Sequence, residues 1–169
     1  MDVGKIIVGE SSRPVRDFHR VDQTPAWKAL AWFALLFVSV GLVDISLAII
    51  AADMTGPVSR MATFAGMANG LPLLTIGVVG FLMSGIGAKS RAIVLTASLL
   101  AGLLVVGIVV GLVLMLVSSG AAYANAPPAA HAGMRTGMWR AVVNYVAFGG
   151  ALGIALVTGL RASRGAVET

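Results

Sequence analysis

AIVLTASLLAGLLVVGIVVGLVLMLVS, from Ala92 to Ser118, contains no charged residue. As a helix it reaches about 40 Å at 1.5 Å per residue. A hydrocarbon slab about 30 Å thick solvates every side of such a rod, and water solvates none. Three more stretches are of the same kind: Trp27–Ala52, Ala62–Ala88 and Met138–Leu160. The second is rich in glycine and contains Pro72, which is expected to kink it and free a carbonyl. The chain is 58% hydrophobic and 11% charged, with a mean hydropathy of +0.94, so it has too little polar surface to cover itself in water. The reading is therefore an all-α integral membrane protein.

The connections suggest how the spans pack. DMTGPVSR joins the first two and KSR joins the second to the third. Such short turns make successive helices antiparallel neighbours, so a four-helix up-down bundle is expected. Residues 1–26 form an N-terminal segment, 27–160 the transmembrane domain, 119–137 a loop and 161–169 a tail. The Pro-Pro and alanines of the loop argue against a folded domain there. The leader's KIIVGE could form a short strand, and its mixed charges suit an anchoring contact. A cleaved signal sequence is the competing reading of the first span, but its polar leader and its apolar stretch are both too long for that pattern.

Lys and Arg set the expected direction. Nine lie in the leader, the KSR turn and the tail, against three at Arg60, Arg135 and Arg140. Both termini are thus expected on the cytoplasmic side of a bacterial-type inner membrane. The +5 net charge is scattered, and the leader mixes both signs, so no nucleic-acid partner is implied.

One residue breaks the apolar pattern. Asp44 stands inside LVDISLAII, where an ionised carboxylate needs a partner, a proton or a purpose. Counting from the span ends places it at the depth of Asn69, Asn144 and Arg140. The expectation is a buried Asp44–Arg140 ion pair, with Asn69 and Asn144 as hydrogen-bond partners, that fixes helix register. The alternative is a proton or cation site at Asp44 in a translocation path. Close helix packing is expected at Gly66, at the Gly107/Gly111 pair and along Ala147, Ala151, Ala155 and Gly159, because small residues four apart let backbones approach in lipid.

Other chemistry lacks its residues. There is no cysteine, hence no disulfide or thiolate metal site. Neither His19 nor His131 lies in a span, so no intramembrane histidine can ligate a haem or a pigment. SGIGAKS, Ser84–Ser90, lacks the spacing and setting of a phosphate loop. No catalytic, cofactor or metal site is expected. The functional expectation is a non-catalytic accessory subunit of a larger membrane complex, respiratory or photosynthetic, with other membrane subunits and lipids as its partners. A small homo-oligomeric transporter or channel using Asp44 is the alternative. A membrane enzyme or lipid-binding factor using Tyr123, Asn125 and His131 is a weaker third.

Overall fold

The computed structural model describes residues 24–52 and 54–165. The KIIVGE strand, the leader's anchoring role and the end of the tail fall outside them. All regular structure among the described residues is helical: α1 (Thr24–Ile50), α2 (Pro57–Met67), α3 (Leu71–Gly87), α4 (Arg91–Asn125) and α5 (His131–Gly165), with a 3-10 turn at Pro128–Ala130. Helices α2 and α3 together make one span. Four spans are long and apolar enough to cross a membrane.

Helix α1 packs antiparallel to α3, and α4 antiparallel to α5, as the residue pairs show. Trp27 meets Gly87, Ala34 and Val38 meet Gly77, and Leu74 meets Gly41. Between α4 and α5, Ser98 meets Gly159, Ile108 meets Gly149 and Gly111 meets Tyr145. The α2–α3 span is the most buried and touches every other long helix. Helix α1 packs on α3 and the neighbouring end of α2, and α4 pairs with α5. A closed bundle would also join α1 to α5, but no substantial contact joins them among the described residues. An apolar cleft lies between Leu42 and Ile45 of α1 and Leu104 and Ile108 of α4, over Met67 and Leu71 of the second span.

The second span is interrupted rather than merely kinked. At Ala68–Gly70 the backbone tightens, with Asn69 N–H donating to Gly66 O at 3.0 Å and Gly70 N–H to Met67 O at 3.2 Å. Pro72 explains the break. It has no N–H to give to Ala68 O, and its ring crowds the preceding turn. Helix α3 then restarts with that proline in its first turn, where a missing N–H costs nothing.

Two boundaries differ from the sequence expectation. The 119–137 loop is nearly all helix: α4 runs on to Asn125 and α5 begins at His131. The alanines at 121, 122 and 124 are the best helix formers. Only Pro127–Pro128 stops the chain. His131 closes the turn, its Nε2 lying 3.1 Å from Tyr123 O and 3.2 Å from Ala126 O, so that as a donor it caps the last carbonyls of α4. The tail, likewise, is helical through Gly165.

At the opposite end, α3 turns into α4 through Ala88–Ser90. Lys89 is in the left-handed region, at φ 51°. Ser90 N–H reaches back to Gly85 O at 2.9 Å, and Ser90 Oγ accepts from Ile93 N–H to open α4. These two ends are the lysine end and the proline end of the molecule.

Candidate functional site

The break in the central span brings together Asp44 of α1, Asn69 and the side chains of Asn144 and Tyr145 from α5. Ala68 O, which Pro72 leaves without its helical donor, accepts instead from Asn144 Nδ2 of α5 at 3.4 Å. One turn earlier, Phe64 O accepts from Tyr145 Oη of α5 at 2.6 Å. Asn144 of α5 thus supplies to Ala68 O the donor that the interrupted helix cannot, as buried backbone groups require in lipid, and Tyr145 ties a second carbonyl of the same span to α5.

Asp44 reaches the other side of the same break. Gly70 sits so close to α1 that a Cβ there would fall 2.9 Å from Ile45 Cγ1 and 3.2 Å from Asp44 Oδ2 and Gly41 O. The carboxylate therefore lies against the turn preceding α3. The Asp44 side chain as a whole is nevertheless exposed, at the edge of the contact between α1 and α3.

Asp44 and Arg140 do not pair, contrary to the sequence expectation. Arg140 is exposed on α5, in an open groove with Arg135, Trp139 and Asn144, and no ion pair joins it to Asp44 among the described residues. Depth counting put the two at one level but could not fix their direction around the molecule. Because α1 packs on α3 and not on α5, the two side chains leave from different sides. Asn69 is exposed within the break, and its side chain makes no described bond to Asp44. Of the four residues, Asp44, Asn69 and Asn144 surround one turn of backbone, and Arg140 stands apart.

The small-residue faces are also redistributed. Gly111 packs under Tyr145, Gly159 under Ser98 and Leu82, and Ala155 is buried. Ala151 is half-buried, Ala147 is exposed, and Gly66 and Gly107 have no neighbour within 4 Å of a Cβ. The buried stripe of α5 runs instead through Ala141, Tyr145, Leu152, Ala155 and Gly159, because its helical phase is set by α4 and α3. The tightest approaches that the sequence reading passed over are Gly41 under Leu74 and Gly87 under the Trp27 ring. Tyr145 had a legible signal, being the tyrosine inside a span, where its hydroxyl needs an acceptor.

Chemically the site is a lone carboxylate beside a helix interruption. Among the described residues there is no group of His, Cys, Asp or Glu able to hold a metal. Asp44 is also the one acidic residue among them. A charge so placed is met by a proton or by a donor from outside the described chain. No protein-family model matches the chain, and neither a curated protein nor a solved structure does.

Proposed function

We propose that the protein is a multi-pass subunit of a larger membrane complex, and that a neighbouring chain docks on α1 and supplies the donor for Asp44. One observation carries this reading: Asp44 is exposed on the least buried span, with no cation beside it among the described residues. Facing lipid alone, an aspartate is costly, and its short side chain reaches water poorly. Facing an arginine, lysine or amide of another helix, it becomes a selective contact. Trp32, Phe33, Leu36 and Val43 share the exposed surface of α1 and provide apolar area for such a neighbour. On this reading the lysine end faces the cytoplasm, with both termini on that side of the inner membrane, and the excess of Lys and Arg at that end supports it.

Affinity purification of the full-length protein in mild detergent tests the proposal. Unlike chains are expected at stoichiometric level, and Asp44→Leu is expected to lose them while the purified chain keeps its helicity. A wild-type chain running alone as a single species would sink the idea.

A second reading rests on the break itself. Interrupted helices beside a membrane carboxylate recur in ion-coupled transporters. On that reading Asp44→Asn abolishes proton- or sodium-driven flux in liposomes and leaves assembly intact. The subunit reading expects no intrinsic flux in the wild type.

A further inference from the structure

A cleft of about 440 Å³ opens at the lysine end, between the α3–α4 turn and the last turns of α5. Its rim carries Lys89, Ser90 and Arg91 from the turn and Ser163 from α5. Arg161 and Arg164, both exposed, flank that stretch of α5. Lys28 belongs to the same end, because its neighbour Trp27 lies over Gly87. No described acid balances these cations: Asp44 is about 25 Å up α1 from Trp27 at 1.5 Å per residue.

Two details sharpen the chemistry. Lys89 holds a left-handed backbone conformation that glycine adopts without cost, yet the position carries an ammonium that lines the cleft. The lower wall is apolar, built from Ile86 and Val94, and Ile86 is partly open to the side of the molecule. A free anion has no use for that wall. A molecule with a phosphate at one end and hydrocarbon at the other fits both parts.

We propose that this cleft binds the phosphodiester headgroup of an anionic phospholipid, with Lys89 and Arg91 on the phosphate and the acyl chains descending past Ile86. The site is independent of any partner at Asp44.

The test is native mass spectrometry of the full-length protein in neutral detergent, with phosphatidylglycerol, phosphatidylcholine of the same chains, or inorganic phosphate added. Phosphatidylglycerol is expected to stay bound where phosphatidylcholine is lost, and millimolar phosphate is expected not to displace it. Each cation removed, as in Lys89→Gly and then Lys89→Gly with Arg91→Gln, is expected to weaken retention about fivefold. Arg135→Gln with Arg140→Gln, at the proline end, is expected to leave it unchanged. Lys89→Gly also relaxes the backbone, so its melting temperature in zwitterionic detergent should hold or rise, which separates lost binding from lost folding. Equal retention of the two lipids, full retention by the Lys89→Gly/Arg91→Gln protein, or displacement by phosphate alone would each overturn the proposal.

Discussion

Tyr145 and Tyr123 make opposite use of the same hydroxyl. Tyr145 Oη holds Phe64 O at 2.6 Å across two helices. Tyr123 Oη is buried with no hydrogen-bond partner among the described residues. Tyr145→Phe is therefore expected to destabilise the protein by about 1 kcal/mol, within the range of interhelical hydrogen bonds in lipid. Tyr123→Phe is expected to cost nothing. Unfolding in mixed detergent and dodecyl sulfate measures both, and equal losses would show that the Phe64 bond contributes little. At this scale the sequence is a partial guide. Pro72 announces a carbonyl without a donor, and Asn144 announces a polar side chain at the right depth. Linear counting gives depth but not direction around a helix. Depth alone therefore points Asn144 at Asp44, whereas it serves the carbonyl that Pro72 leaves free.

Helix α1 is held by a row of close approaches to α3. A Cβ on Gly77 would lie 2.7 Å from Val38 N and 2.8 Å from Ala34 O, both backbone atoms that no side-chain rotation can move aside. Gly77→Ala is expected to push the helices apart and cost about 1–3 kcal/mol. Gly107→Ala meets nothing within 4 Å and is expected to be neutral, or stabilising by up to about 1 kcal/mol through helix propensity. Thermal melting of the two variants in one detergent decides it, and similar losses would contradict the packing. The four apolar elements were legible because hydropathy reports them directly. Which glycine faces a neighbour was not: the GxxxG pattern of Gly107 and Gly111 has one member packed and one open. The ends of α4 and α5 were hidden as well, because alanine-rich sequence reads equally as a loop or as a helix outside the hydrocarbon.

The molecule is taller at one corner than a bilayer is thick. The paired helices α4 and α5 have 35 residues each, about 52 Å at 1.5 Å per residue, against a hydrocarbon core of about 30 Å. Their tips at the proline end are therefore expected to stand in water. The absence of cysteine makes this simple to map. A thiol at Ala124 is expected to react quickly with a membrane-impermeant maleimide applied from outside, and one at Ala162 only after permeabilisation. A thiol at Leu103 is expected to react slowly, although Leu103 is 70% exposed in the isolated chain. Fast labelling at Leu103 would refute the membrane placement, and a reversed pattern at Ala124 and Ala162 would refute the orientation.

The alternation along α1 and α3 has one more effect. Leu74 fills the space over Gly41, Val38 fills that over Gly77, and the Trp27 ring fills that over Gly87. Each bulky group has a single seat. Sliding α1 by one helical turn would set Leu74 against Val38 or Ile45 and lift Trp27 off its glycine. The helix is notched, like a rack engaged with its pinion, and cannot ride up or down to bring its carboxylate nearer to water. The depth of Asp44 is thus fixed by three steric fits between α1 and α3, and its charge has to be met where it stands, by a proton or by a donor brought to it.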